Sequence, residues 1–470
     1  MAQKNPGVYS PFSGRDKVFE KYQTDHELLD HCFDMLFPIM RSITGPGIEE
    51  SIRLMQNFMP LEMEKVSTGE KVFDWTVPPE WHLKHARLWG PDGTLICDTD
   101  AHTLHVVSYS EPIDATLSLD ELESHLHSLP NLPDAIPYVT SYYSRTWGFC
   151  LKHNERVLLQ PGNYRVQIES EFKDGGVPFA TCVLPGDSER EILLTSYLCH
   201  PSLANNELSG PLTLLALYRR LKAWPKRRYS YRFLINPETI GSLCFLSRYH
   251  DHLRNNLEAG FILTCMGGPA ETLRYKASRR GNTSADQLIQ RFAEGKEPNP
   301  QLPFRYTGFC PLGGSDERQY CSPGFNLPMG QIARTVYGEF DGYHNSLDDK
   351  AFMGIERLVE SANALEHLLS LMDICGKPVN QVPYGEPQLG KRGLYPNLNA
   401  NSTCSHSADA HVDDRIQLNR ILKVLNMADG HTHTTEMADT CDCSLTELNP
   451  TIHKLEDSGL LIFNAEPIAP

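Results

Sequence analysis

The chain has 470 residues, enough for about three domains. Hydrophobic residues make up 40% and charged residues 22%, a balance that excludes a mainly disordered, collagen-like or coiled-coil chain. The formal net charge of −16 repels phosphate backbones and anionic lipid except where basic residues cluster, and Lys226-Arg227-Arg228 is the densest short cluster.

In chain order, Met1 to Tyr22 is polar and mixed in charge, without the apolar stretch of a secretory signal. No run of about 18 apolar residues follows anywhere, so no membrane-spanning helix is predicted. The 13 cysteines are odd in number and scattered, which points to a reducing, cytoplasmic setting. From Asp25 to Phe58, Leu28, Leu29, Cys32, Leu36 and Met40 recur at helical spacing, with a break at Ser42 to Gly47. Residues 63–150 read as an inserted β-rich domain. They hold Trp75, Trp81, Trp89 and Trp147, the β-like run Leu104-His105-Val106-Val107 and a turn at Pro91-Asp92-Gly93. Strand–helix alternation then runs from Glu191 to Cys375. Strands are predicted at Ile192–Leu198, Tyr231–Asn236 and Gly260–Met266. Helices are predicted at Pro211–Trp224, Ser284–Ala293 and Ile355–Met372. Such alternation implies an α/β sheet flanked by helices. A Pro-, Gly- and Asn-rich connector occupies Gly376 to Asp414. Helical patterns at Arg415–Met427, Thr434–Asp439 and Ser444–Ser458, with a strand at Leu460–Phe463, suggest a winged helix over 400–470.

The polar residues that follow the strands are the chemically informative ones. His200 comes directly after the first buried strand, and Asn206 and Glu207 precede the next helix. Glu238 follows the second strand. Asp316 lies in Gly313-Gly314-Ser315-Asp316-Glu317, and His344 in Tyr343-His344-Asn345-Ser346. Ligand sites in open α/β sheets form outside the carboxyl ends of the strands. Zinc is bound by neutral imidazole and carboxylate oxygen, and a catalytic site leaves a position for water. His200, Asp316 and His344 are therefore ligand candidates and Glu238 a candidate base. Each also has a structural role open to it, as a hydrogen-bonded core histidine or a helix cap.

The segment Cys199-His200-Pro201-Ser202-Leu203-Ala204-Asn205-Asn206-Glu207-Leu208-Ser209-Gly210 resembles the metal loop of an aminopeptidase-like zinc protein family. That family is related to bacterial leucyl aminopeptidase, glutamate carboxypeptidase and glutaminyl cyclase. Pro237-Glu238-Thr239-Ile240-Gly241-Ser242, Gly313-Gly314-Ser315-Asp316-Glu317-Arg318 and Tyr343-His344-Asn345-Ser346-Leu347-Asp348 extend the resemblance, as do Phe73-Asp74-Trp75 and Trp147-Gly148-Phe149-Cys150. It implies a zinc-aminopeptidase-like mixed sheet over 19–62 and 151–385, an inserted β-rich domain at 63–150 and a C-terminal winged helix. By the same resemblance, His200 would ligate one zinc, position 206 would bridge two, and Glu238 would be the general base. Position 239 would be a carboxylate on the His200 zinc, and Asp316 and His344 would hold the other ion.

Two positions depart from that pattern. Residue 206 is Asn, a neutral and poorly bridging ligand, and residue 239 is Thr. Three readings follow. One zinc per chain binds Asp316 and His344, completed by His200 or Asn206; or Glu207 swings in as a replacement carboxylate; or the metal is lost. Arg334 could pair with a substrate carboxylate or with a structural partner. Trp147 and Tyr143 could line the pocket or pack in the core, and Tyr343 could donate to an oxyanion. His431, His433, Cys441 and Cys443 only loosely resemble a metal set. The tail's predicted recognition helix carries Lys454 against Glu447, Glu456 and Asp457, so no nucleic acid is expected and a protein contact, including homo-oligomerisation, is. The resulting expectation is a cytoplasmic zinc-dependent hydrolase of a small peptide or aminoacyl amide. The alternatives are an inactive binding or scaffold protein and a mononuclear-zinc acyl-transfer or cyclising enzyme.

Overall fold

The run predicted as a buried strand after Arg190 lies at the middle of the protein, and every one of its residues is buried. A computed structural model describes residues 16–298, 302–395 and 408–463, with the side chains of 16, 17 and 408–413 set aside. The strands, in chain order, are β1 (Glu62–Ser67), β2 (Glu80–Trp89), β3 (Leu95–Asp98), β4 (Ile113–Ser118), β5 (Asn163–Lys173) and β6 (Gly176–Leu184). Then come β7 (Glu191–Tyr197), β8 (Ser230–Asn236), β9 (Leu257–Leu263), β10 (Leu273–Lys276), β11 (Phe304–Thr307) and β12 (Met329–Ala333). The main helices are α1 (Asp25–Leu36), α2 (Pro46–Met55), α3 (Ser209–Ala223), α4 (Ile240–Asn256), α5 (Ser284–Ala293) and α6 (Ile355–Met372). The C-terminal part adds α7 (Ala408–Met427), α8 (Thr434–Thr440) and α9 (Leu445–Asp457).

Eight strands form one mixed sheet in the order β1-β6-β8-β7-β9-β12-β10-β11. Strands β8, β7, β9 and β12 are mutually parallel, so their carboxyl ends share one edge. Both faces of a parallel sheet must be covered by helices, which is why β7 reads as a continuous apolar run. Helices α3 and α6 pack on each other, α1 packs against both, and α4 lies on β6, β8 and β9. This is the expected α/β class, with a large mixed sheet flanked by helices.

The second sheet has the order β3-β2-β5-β4, antiparallel throughout. Its extent differs from the expected 63–150. Strand β1 pairs with β6 in the large sheet, and β5, well beyond residue 150, pairs with both β2 and β4. The run at Leu104 is a 3-10 turn (Thr103–His105) and not a strand, because the His102 side chain accepts the Leu104 N–H and starts a cap. Gly45, at φ 85, precedes α2 where a Cβ would meet the Trp81 carbonyl at 2.3 Å. Only glycine lets the first helices approach the small sheet this closely.

Helices α7, α8 and α9 form the winged helix. The connector contributes to it as well: Val379–Asn380 pairs antiparallel with Leu461–Ile462. The polar N-terminus up to residue 15, the connector at 396–407 and the last seven residues lie outside the described residues. Among the described residues no helix is long and apolar enough to cross a membrane.

Candidate metal centre at the carboxyl edge of the sheet

Strand β7 delivers Cys199 and His200 to the edge. Before α3 begins, Ala204–Leu208 forms a single π-helical turn, a wide turn often found at functional sites. The Asp348 carboxylate seats it by accepting the N–H groups of Asn205 at 2.7 Å and Asn206 at 2.8 Å. This turn aims Glu207 back at the strand end. Its Oε1 accepts the N–H of His200 at 2.8 Å and that of Cys199, and its Oε2 lies 2.5 Å from His200 Nδ1. Burial lowers the His200 pKa, but Cys199 and Glu207 outweigh it and hold it well above 6.5, so a bound cation would have to displace the proton on Nε2. That atom lies 4.0 Å from Glu238 Oε2. Fully buried Arg41 supports the arrangement, with Nε donating to the His200 carbonyl at 3.1 Å. Burial lowers the Arg41 pKa to about 10 against the opposing pull of Glu207.

Strand β8 delivers Glu238. Ser315 donates its hydroxyl to Glu238 Oε1 at 2.8 Å, which leaves Oε2 on the histidine side. Burial raises the Glu238 carboxyl above its ordinary range, opposed by His200. Thr239 takes φ 62 and donates its N–H to Asp316 Oδ1 at 2.6 Å, while Asp316 Oδ2 accepts from Asn236 Nδ2 at 3.2 Å. Burial, then the neighbouring Glu238, pushes Asp316 up to about 7. His344, at φ 58, stacks on Tyr343 with centroids 3.9 Å apart, and its ring lies 5.4 Å from that of His200. Burial, then His200, lowers the His344 pKa to about 3, so this imidazole is neutral. Tyr138 stands against both rings, at 4.9 Å and 5.5 Å.

The predicted residues therefore divide. His200, His344, Glu238 and Tyr343 come together. Asn206 is buried beside them, donating through Nδ2 to the Tyr197 hydroxyl at 3.1 Å while its Oδ1 has no partner. Asp316 adjoins the group, but its carboxylate is turned into the 236–239 loop. Arg334 is not at the site: it is buried against Glu360 at 2.8 Å and the carbonyls of Ala270 and Arg357, because the end of β12 points it under α6. Trp147 is also elsewhere, stacked on His125 at 3.7 Å within the small β region. Trp75, Tyr142 and Tyr143 line the cavity instead, a space of about 190 Å³ that also touches Ile43, His200 and Glu238. Sequence reasoning missed the Glu207 pairing and Arg41. The seven residues from His200 to Glu207 cross a loop and a π turn, so their spacing forecasts no pairing.

The tightest described cluster of metal-ligating atoms is Cys199, His200 and Glu207, all within 4.8 Å. Its atoms are already satisfied by one another. A 2.5 Å Nδ1–Oε2 contact is a hydrogen bond, and burial pushes the Cys199 thiol up to about 11, away from thiolate. The ligand atoms left for a metal are the neutral His344 ring, the buried Asn206 Oδ1 and, once a cation displaces its proton, His200 Nε2. Two imidazoles and a neutral oxygen beside an acid fit one zinc ion. The two-zinc pattern that the resemblance implies has carboxylates at 206 and 239, where this chain has Asn and Thr.

Comparison with known proteins agrees with this fold. A family described as Domain of unknown function (DUF4910) matches residues 30–374, and one described as winged helix-turn-helix matches 377–462. A Clostridium acetobutylicum protein described as a "polysaccharide biosynthesis protein with aminopeptidase-like domain" is 39% identical over 410 residues, 87% of this chain and 90% of its own. The crystal structure of a protein described as a peptidase from the same organism superposes with a TM-score of 0.79 at 35% identity, covering 96% of this chain and all of its own. A zinc aminopeptidase from Bacillus subtilis superposes with a TM-score of 0.51 at 13% identity, over 73% of this chain and 93% of its own. A peptidase M28 precursor from Shewanella amazonensis gives 0.52 at 10% identity, over 76% and 96%. The last two establish an aminopeptidase-like fold.

Proposed function

The chain belongs to the family described as Domain of unknown function (DUF4910), and we propose that it is a zinc-dependent, aminopeptidase-like hydrolase of a small peptide or aminoacyl amide. The observation that carries this reading is His200 Nε2 facing Glu238 Oε2 at 4.0 Å while Glu207 holds Nδ1. His200 and His344, with Asn206 Oδ1, would hold one zinc ion. When bound, that ion supplies Lewis-acid polarisation of water or of a carbonyl.

The chain's own groups do the rest. Glu238 accepts a proton from the attacking water and returns it to the leaving amine. Its raised pKa makes it a stronger base than an exposed carboxylate, and Ser315 keeps it from rotating away. Glu207 fixes the tautomer and the plane of His200. Tyr343 stays protonated because burial raises its phenol, so it remains a donor for developing negative charge. The cavity wall beside the reacting groups is aromatic, formed by Trp75, Tyr142 and Tyr143.

The test pairs zinc quantification with a screen of aminoacyl amides and short peptides, on the wild type and on Glu238→Gln. Both proteins should carry about one zinc per chain, and turnover in the variant should fall about 10²–10⁴-fold. Unchanged turnover would remove Glu238 as the base. The neutral residues at 206 and 239 favour a second reading, a binding protein that keeps the fold without the metal. It predicts no zinc in either protein.

A further inference from the structure

Several buried or half-buried arginines of the body pair with acids. Arg219 and Arg220 hold Asp25, Arg232 holds Glu191, and Arg291 holds Glu297. Arg334, for which the sequence left both a substrate carboxylate and a structural partner open, holds Glu360. Arg318 differs. It lies on the short turn Glu317–Tyr320, half-buried, with Nε donating to the Ser315 carbonyl at 3.2 Å, and it forms no ion pair with any described carboxylate.

Its position bears on the site already described. Ser315 links the two groups: its hydroxyl holds Glu238 Oε1 at 2.8 Å and its carbonyl holds Arg318 Nε. The Arg318 charge acts on both Glu238 and Tyr343. With Nε occupied, the two terminal nitrogens of the guanidinium remain, the pair that grips an oxyanion through two parallel hydrogen bonds. The cavity wall formed by Trp75 and Tyr143, in edge contact at 5.4 Å, carries no charge.

We propose that Arg318 is the specificity-determining seat for an anionic group on the substrate, a carboxylate or a phosphate carried near the scissile carbonyl. This rests on the hydrolase reading and narrows it to acidic acyl compounds. The carboxylate and phosphate sources share one chemistry, and binding probes separate them.

The experiment is calorimetric titration of the full chain with succinate, inorganic phosphate and the neutral isostere succinamide, on the wild type, Arg318→Gln and Arg318→Lys. Circular dichroism checks that the variants fold. Succinate should bind the wild type about ten-fold more tightly than succinamide, the scale of one charge-assisted hydrogen bond. Arg318→Gln should erase that preference, and Arg318→Lys, which keeps the charge and loses the fork, should keep part of it. Phosphate binding more tightly than succinate would name a phosphorylated substrate, and the reverse order a carboxylate. Equal affinity of the wild type for succinate and succinamide, a preference that survives Arg318→Gln, or no binding of either anion would overturn the proposal. Because turnover is not read, an inactive chain that keeps the preference would sink the hydrolase reading and leave the anion seat standing.

Discussion

At the carboxyl edge of the large sheet, Ser202, Thr239, Cys265 and His344 all take positive φ although none is glycine. In the C-terminal helices the chain turns by ordinary means. Ser444 and Glu447 form a reciprocal cap at the start of α9, and Leu445, Leu448, Ile452 and Leu455 are fully buried beneath it. Asp442 is the one described non-glycine residue there with positive φ. Each strained residue costs on the order of 1–3 kcal/mol, and such strain persists only where neighbours over-determine it. Backbone comfort is given up at the edge, where side chains must be aimed, and kept in the tail, where packing is the task.

Perturbing the two regions separately tests this contrast. The largest effect is expected from Leu448→Ala, which empties a fully buried position in the tail and should cost about 2–5 kcal/mol. Thermal unfolding should shift down while zinc content and turnover at 25 °C hold; a parallel loss of zinc would break the contrast.

A smaller effect is expected from His433, the cap of α8. Burial, then the charges of Lys377 and Arg291, lower its pKa from the ordinary 6.5 to about 4, and its Nε2 is buried without a partner. The folded state thus resists a proton that the unfolded chain accepts. Its contribution is complete above pH 6.5 and is lost as pH falls toward about 4, by at most about 3 kcal/mol. Denaturant midpoints measured across that window should fall less steeply in His433→Gln, and identical slopes would rule the histidine out.

The sharpest effect on the metal is expected from Glu207→Gln. The amide cannot accept all the bonds the carboxylate does, so zinc affinity should drop about 10–100-fold. Chelator competition measures this, and an unchanged affinity would mean that Glu207 does not orient the ligand.

Much of this fold can be read from local pattern. Helices α5 and α6 begin and end where periodicity places them, and β7 and β8 agree with their predicted runs to within one residue. Strand β6 was hidden by Pro178, which argues against a strand within a sheet. Pro178 is tolerated because its paired neighbour there is Lys65 of β1, and the pairing with β8 begins only at Ala180. The site is legible to the same degree. His200, Glu238 and His344 follow from their places after strands or in loops. The clasp of Glu207 on His200 does not, because it depends on a π turn that helical spacing cannot foretell. Arg334 and Arg318 look alike as letters, and only their surroundings separate a spent cation from an open one.

Glu297 connects the two regions. Its carboxylate takes Arg291 Nε at 3.0 Å, then reaches the first turn of α9, accepting the N–H groups of Leu445 at 2.8 Å and Thr446 at 3.2 Å. In helix-turn-helix proteins the start of the recognition helix is the part that enters the major groove. Here an acid from the body already sits on the amides that would greet a phosphate. The winged helix is thereby bolted to the body at the start of its third helix.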